Sequence, residues 1–228
     1  MKGLGRQDLA RMVASQLPRD SFVNLGIGAP THVADYMAPD SGVILHSENG
    51  ILHVGPAPAP GEANYDLINA GKSPVTLARG GSFFDSSMAF AMMRGGHIDV
   101  AVLGAFEVSQ RGDLANWNTG RDEGEPPGVG GAMDLAVGAK QIWVMMEHVT
   151  REGAPRIVSE CTLPLTATRV VSRIFTSLAI VEVETDGLVV SAILDGARLE
   201  DVQAVTGAPL RPAARLRSIS PDGRVGAS

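Results

Sequence analysis

The sequence predicts an α/β fold, an open three-layer α/β/α arrangement around a mostly parallel sheet. Three observations carry this. Short apolar runs alternate along the chain with segments whose apolar residues recur every three or four positions, the pattern of strand–helix–strand units. Hydrophobic residues fill 44% of the 228 positions but aromatic residues only 4%, with 27 glycines, so the core is one of Ala, Val, Leu and Gly, not that of an aromatic-rich sandwich. Residues 98–103 and 142–146 are almost continuously apolar, as strands covered on both faces of a parallel sheet must be.

Taken in order, Leu9, Met12, Val13 and Leu17 fall at helical spacing and Pro18 ends the run, which gives an opening amphipathic helix. Residues 22–25 read as a strand entering Gly26-Ile27-Gly28, and Pro30 suits the first turn of a helix with Val33, Ala34 and Met37 on its apolar side. A second strand over 43–45 runs into Glu48-Asn49-Gly50, and residues 55–61 form a Gly/Pro loop. A strand follows over 75–78, then a helix over 82–93 bearing Phe84, Met88 and Met92. Residues 98–103 form a central strand, 117–131 a second Gly/Pro-rich loop, 133–137 a helix and 142–146 another buried strand. Thr185-Asp186-Gly187 joins strands 179–184 and 188–194 as a hairpin, and 199–205 is a last helix. One domain over residues 1–211 accounts for all of this, and the Arg/Ser/Pro/Gly-rich stretch 212–228 reads as a loosely ordered tail.

Composition excludes several classes of function. The net charge of −6 and pI near 5.3, with Lys and Arg scattered singly, argue against a nucleic-acid partner. No apolar run approaches the roughly 18 residues of a membrane span. Cys161 is the only cysteine, so an intrachain disulfide and a Cys-x-x-Cys zinc site are both impossible. The start of the chain has no apolar leader pattern, and a cytoplasmic location is the expectation. The five histidines stand singly, so no metal site is expected.

The chemistry-bearing motifs are few. Gly26-x-Gly28 follows a strand, but Thr31 stands where a dinucleotide fingerprint needs its third glycine. Ser47 and Ser82 lack a nucleophile elbow. Asp113, Asp134 and Glu147 are either acid–base groups or ordinary loop and helix-end carboxylates. Gly128-Val129-Gly130-Gly131 precedes a helix and is either a flexible turn or a set of bare N–H groups for an anion. In His46-Ser47-Glu48-Asn49-Gly50, an Asn-Gly turn at the end of a strand makes Glu48 either an ordinary exposed turn residue or a carboxylate lifted out to meet a ligand.

Eight segments occur in order: 25–30 (LGIGAP), 47–50 (SENG), 66–72 (DLINAGK), 90–97 (FAMMRGGH), 112–117 (GDLANW), 130–135 (GGAMDL), 146–148 (MEH) and 161–166 (CTLPLT). Together they resemble the β subunit of the 3-oxoacid CoA-transferases, over roughly residues 5–207, and the resemblance implies the open α/β fold shared with sugar-phosphate isomerases. It implies that Glu48 is the nucleophile, that Gly131 serves an oxyanion, and that Asn49, Lys72 and Gly130 contact substrate or CoA. It further implies transfer of CoA from an acyl-CoA such as succinyl-CoA to a 3-oxo acid through a glutamyl-CoA thioester, with no cofactor beyond CoA as substrate. The implied partner is an α subunit in an α2β2 assembly. An acyl-CoA hydrolase and a non-catalytic ligand-sensing module are the alternatives on the same scaffold. Departures from the family pattern are His53 in place of Gly, Arg79 in the Arg-Gly-Gly-Ser stretch, Glu107 in place of Gln, and Ser177 in place of an acidic residue.

Overall fold

The protein is described by a computed structural model that covers residues 3–119 and 128–226. Part of the second Gly/Pro-rich loop, 120–127, lies outside the described residues.

Helix α1 (Arg6–Gln16) buries Leu9, Ala10, Met12 and Val13, the stripe that its sequence period dictates. Strand β1 (Phe22–Leu25) follows, then a 3-10 helix over Ala29–Tyr36 with Pro30 in its first turn. Strands β2 (Ile44–Ser47), β3 (Ile51–Val54) and β4 (Leu77–Phe83) lead to helix α2 (Ser86–Arg94). Next come β5 (Val100–Leu103), the short strands β6 (Glu107–Ser109) and β7 (Leu114–Ala115), helix α3 (Ala132–Gly138) and β8 (Gln141–Met146). The chain closes with β9 (Ile157–Val158), β10 (Val171–Thr176), β11 (Ala179–Glu184), β12 (Gly187–Leu194), helix α4 (Leu199–Gln203) and β13 (Leu210–Ile219).

Ten of these strands form one sheet in the order β13-β12-β11-β10-β8-β5-β1-β2-β3-β4, and β7-β6-β9 make a second small sheet. The five central strands, β10 to β2, run parallel. Antiparallel partners flank them, β3 and β4 on one side and β11 and β12 on the other. From β1 the chain crosses through the 3-10 helix to β2 on one side. It returns through α2 to β5 on the other side of β1, and goes on through α3 to β8. Right-handed crossovers in opposite directions place the 3-10 helix on one face and α2 and α3 on the other. α1 packs against the 3-10 helix, and α2 against α3. This is the expected three-layer arrangement, and the strand order reverses between β1 and β5.

Some sequence expectations are corrected. The helix expected from Ser82 begins at Ser86, because Ser82 and Phe83 pair with Leu52 and Ile51 in β4. Asp85 then caps the helix by accepting from the Met88 N–H at 2.8 Å. The tail is not loose: residues 210–219 are the edge strand β13, paired parallel with β12. Beyond it the Arg11 guanidinium donates to the Asp222 carbonyl at 2.7 Å, which fastens the C-terminal turn to α1. Alternating Arg and small residues in β13 hide its strand character, since an edge strand with both faces largely solvated has no apolar period to show.

His53 sits at a register break in β3 with φ of 65°, the left-handed region that glycine accepts freely. The left-handed backbone costs a β-carbon-bearing residue about 1–2 kcal/mol, partly offset by the greater chain entropy glycine loses on folding. His53→Gly is therefore expected to raise the thermal midpoint by about 1–3 °C, and differential scanning calorimetry checks this; a lower midpoint contradicts the assignment.

Candidate active site

In the parallel centre of the sheet, the residue immediately after each of four strands lines one cleft. Gly26 follows β1, Glu48 follows β2, Gly104 follows β5 and Glu147 follows β8. The cleft has a volume of about 530 Å³ and also meets Gly130, Gly131, Trp117, Arg6 and Arg156. It opens at the carboxyl ends of the strands beside the reversal of strand order, which is where open α/β sheets bind ligands.

Glu48 reaches that cleft through a tight turn. The Gly50 N–H donates to the Ser47 carbonyl at 3.0 Å, and Gly50 has φ of 109°. Neighbouring side chains fasten the turn. The Asn49 amide donates to the Ile68 carbonyl at 2.7 Å, and the Ser47 hydroxyl accepts from the Ala70 N–H at 3.1 Å. The 68–72 loop is thereby clamped beside Glu48.

Behind the carboxylate stands a buried polar group that no sequence motif announces. Asn24 on β1 is fully buried and lies opposite His46 in the register of β1 and β2. Its Nδ2 lies 3.0 Å from His46 Nδ1, 3.2 Å from the His46 carbonyl and 3.2 Å from Glu48 Oε2. Three acceptors around one nitrogen fix the amide orientation, because the flipped form would set Oδ1 against two oxygens. Burial pushes the His46 imidazole down to about 4, so it is neutral at pH 7 with Nδ1 accepting and the proton on Nε2. Asn24 Oδ1 and His46 Nε2 are buried with no hydrogen-bond partner among the described residues.

Gly131 closes the opposite wall. It precedes α3, and its N–H has no backbone acceptor among the described residues. A β-carbon at this position would lie 3.8 Å from Glu48 Cγ and 3.3 Å from the Phe90 ring. Any side chain there would enter the space beside the carboxylate. The Arg94–Asp134 ion pair at 2.6 Å holds α3 to α2 and so fixes this wall.

The structure thus brings Glu48, Gly130 and Gly131 together in one cleft and leaves Asn49 and Lys72 out of its lining. Lys72 occupies the exposed tip of the 69–72 turn with φ of 62°. Of the other carboxylates considered, Asp113 accepts from Ser109 Oγ and the Arg169 N–H, and Asp134 pairs with Arg94. Only Glu147 faces the cleft. Arg156, also unanticipated, donates to the Ala105 carbonyl at 3.1 Å on the cleft wall. The Cys161 thiol is pushed up to about 12, first by burial and then by the Glu107 and Asp113 charges, and stays protonated. Glu107 accepts from the Thr162 N–H, the Thr162 hydroxyl and the Leu163 N–H, three donors that suit an acceptor-only carboxylate.

Comparison with known proteins fits this geometry. The family model described as Coenzyme A transferase matches residues 6–204. The chain belongs to the coenzyme A transferase family. It is 56% identical to a subunit of the 3-oxoadipate CoA-transferase of Pseudomonas putida, over 92% of this chain and 97% of that protein. It is 43% identical to a subunit of the succinyl-CoA:3-ketoacid coenzyme A transferase of Helicobacter pylori, over 89% of this chain and 97% of that one. A probable coenzyme A transferase β subunit of Bacillus subtilis is 41% identical, over 92% of this chain and 97% of its own length. Among solved structures, an acyl-CoA transferase from Escherichia coli O157:H7 shares the fold with a TM-score of 0.73 at 19% identity. That alignment covers 96% of this chain and 45% of the other, so the chain spans about half the length of this single-chain structural relative.

The local geometry sets the outcome of two substitutions. A β-carbon on Gly50 would lie 2.0 Å from the Phe84 carbonyl oxygen, which is backbone and cannot swing aside. Gly50→Ala is expected to cost about 2–4 kcal/mol, from overpacking and the positive φ together, read as a lower urea midpoint. The second concerns His148, whose ring lies 2.8 Å from the Thr176 hydroxyl and 2.9 Å from that of Thr206, and whose pKa burial pushes down to about 4. The unfolded imidazole protonates near 6.5, so between about pH 6.5 and 4 the unfolded chain binds more protons and stability falls as pH falls. Urea unfolding across that window should show the loss, and His148→Gln should flatten it by removing one of the two buried imidazoles.

Proposed function

We propose that this chain is the β subunit of a two-subunit CoA-transferase that moves CoA from an acyl-CoA, succinyl-CoA foremost, to a 3-oxo acid. The observation that carries the reading is Glu48, a carboxylate that lines the β1/β5 cleft together with Gly131, where a β-carbon on that glycine would lie 3.8 Å from Glu48 Cγ. The names of the Pseudomonas and Helicobacter relatives support the reaction class, and the 3-oxo acids in those names support the acceptor.

In the proposed reaction a Glu48 oxygen attacks the thioester carbon and the CoA thiolate departs, leaving an acyl-glutamyl anhydride. The thiolate then attacks Glu48 Cδ. The first acid leaves with the bridging oxygen, and Glu48 carries CoA as a thioester. A carboxylate oxygen of the second acid attacks Cδ and expels the thiolate, which adds to the new acyl carbon and releases Glu48 with one oxygen from that acid. No water and no net proton enter, so the thioester's free energy is conserved. The Gly131 N–H is the proposed donor to the oxyanion that forms on the substrate carbonyl; one such donor is worth about 3 kcal/mol in other enzymes.

The described charged groups on the cleft wall are Arg6, Arg156, Glu48 and Glu147, a balanced set for a ligand as anionic as CoA. Further positive charge is therefore assigned to a companion α subunit, in an α2β2 assembly. Half-length coverage of the Escherichia coli chain supports a division of one catalytic body between two polypeptides.

Mass spectrometry after acyl-CoA treatment with the companion subunit and no acceptor is expected to show a CoA adduct on the Glu48 peptide. An adduct elsewhere, or none during verified turnover, overturns the reading. Glu48→Asp withdraws the carboxylate by about 1.5 Å, one C–C bond, and a misplacement of about 1 Å can cost 10²-fold. Transfer should collapse in this variant while hydrolysis is retained or rises, because the shortened carboxylate can activate a water in the vacated space. Glu48→Gln should support neither reaction. The ratio of CoA released to CoA transferred is the measurement.

A further inference from the structure

We propose that Asn24 is a catalytic residue, its Nδ2–H group donating to the oxyanion that forms on Glu48's own carbonyl oxygen when a nucleophile adds to Cδ. The inference rests on the reading of Glu48 as the nucleophile.

The two carboxylate oxygens of Glu48 have different fates in such a reaction. The oxygen that attacks becomes the bridge of the anhydride and departs with the first acid. The other stays on Cδ throughout, as the carbonyl oxygen of the anhydride and of the thioester. Each addition to Cδ, by thiolate or by acid, opens that carbonyl and puts a full negative charge on the retained oxygen. When the bond to the leaving group breaks, the electron pair returns to the carbonyl. A donor preorganised at that oxygen in a water-poor site lowers the barrier to both additions. A donor to the substrate carbonyl, the role assigned to Gly131, serves a different carbon.

Asn24 meets the geometric requirement. Its Nδ2 is 3.2 Å from Glu48 Oε2, its side chain is fully buried, and among the described residues it is the one side-chain donor to that carboxylate. Its amide cannot turn to suit other needs, because His46 Nδ1 and the His46 carbonyl hold the same nitrogen from behind at 3.0 and 3.2 Å. The ring of His46 is itself stacked on Phe84 at a centroid distance of 6.1 Å. The arrangement leaves Asn24 Oδ1 and His46 Nε2 buried and unpaired among the described residues.

The test isolates additions to Cδ. The Glu48–CoA thioester is formed with the companion subunit by prolonged incubation with succinyl-CoA and freed of small molecules. Its decay is then followed by quenched-flow mass spectrometry after mixing with acetoacetate or, separately, with hydroxylamine, which needs no acceptor site. Asn24→Asp keeps the side-chain shape and replaces the donor by an acceptor; Asn24→Ala removes both, and thermal midpoints report whether each folds. Decay is expected to slow by about 10²-fold with both reagents, with CoA affinity within about threefold of wild type. In Asn24→Asp the second carboxylate should also move the acid limb of the kcat/KM profile to higher pH. Decay within threefold of wild type for the folded Asn24→Asp variant overturns the proposal. So does slowing with acetoacetate alone, which assigns Asn24 to acceptor binding. Absence of any thioester on Glu48 in the wild-type enzyme overturns the nucleophile itself, a failure distinct from either.

Discussion

The site depends on one constraint: β1 is held along both edges by parallel neighbours. Phe22, Val23 and Asn24 pair with β2, and Val23, Asn24 and Leu25 pair with β5. With so short a strand committed on both sides, neither its register nor its facing can slip without turning the side chains over. Asn24 therefore faces the same side as its neighbour His46, and its 3.2 Å contact with Glu48 Oε2 places that carboxylate on the same side. The same strand marks the reversal of strand order beside which the cleft opens. Position of the carboxylate and position of the cleft have a single origin.

That origin explains how a site made from loop residues stays rigid. Glu48, Asn49 and Gly50 belong to a turn, yet the turn is tied to the 68–72 loop by Asn49 and Ser47. It is tied to the start of α2 by the bond from the Phe84 N–H to the Gly50 carbonyl at 3.0 Å. α2 in turn holds α3 through Arg94 and Asp134, and α3 follows Gly131. Both walls of the cleft thus trace back to the same few hydrogen bonds around β2 and β3. His148 does similar work behind β8, bridging the Thr176 and Thr206 hydroxyls and so supporting the backbone that carries Glu147 into the cleft.

Much of the fold was legible in the amino-acid sequence, and the reasons for the gaps are physical. The central strands announce themselves because burial on both faces demands continuous apolar sequence; β5 and β8 are the clearest cases. β3, β10 and β13 do not, since a strand with a solvated face or a free edge carries charged and small residues without a clean period. The 3-10 helix after Gly28 reads from sequence as an ordinary helix, because Pro30 and Val33 satisfy either geometry. At the site, Glu48, Gly130 and Gly131 stood out through their turn chemistry and their likeness to a family. Asn24 and Arg156 did not, since long-range pairing brings one behind the Glu48 carboxylate and the other onto the cleft wall. The one available signal was Asn24 itself, an amide in a strand destined for the middle of a parallel sheet, where an unexplained polar residue is the informative observation.

The two proposed oxyanion donors divide along the same line as the chemistry. Carbonyl carbons of successive substrates come and go, and their exact placement changes with the acyl group. A backbone N–H at a glycine, on a wall whose far end is a loop, can serve them without contacting the variable part. In the proposed reaction the Glu48 carbonyl is a permanent part of the protein and returns to one place in every half-reaction. A donor for it gains from being immovable, and the interior of the sheet is the most rigid place the fold offers.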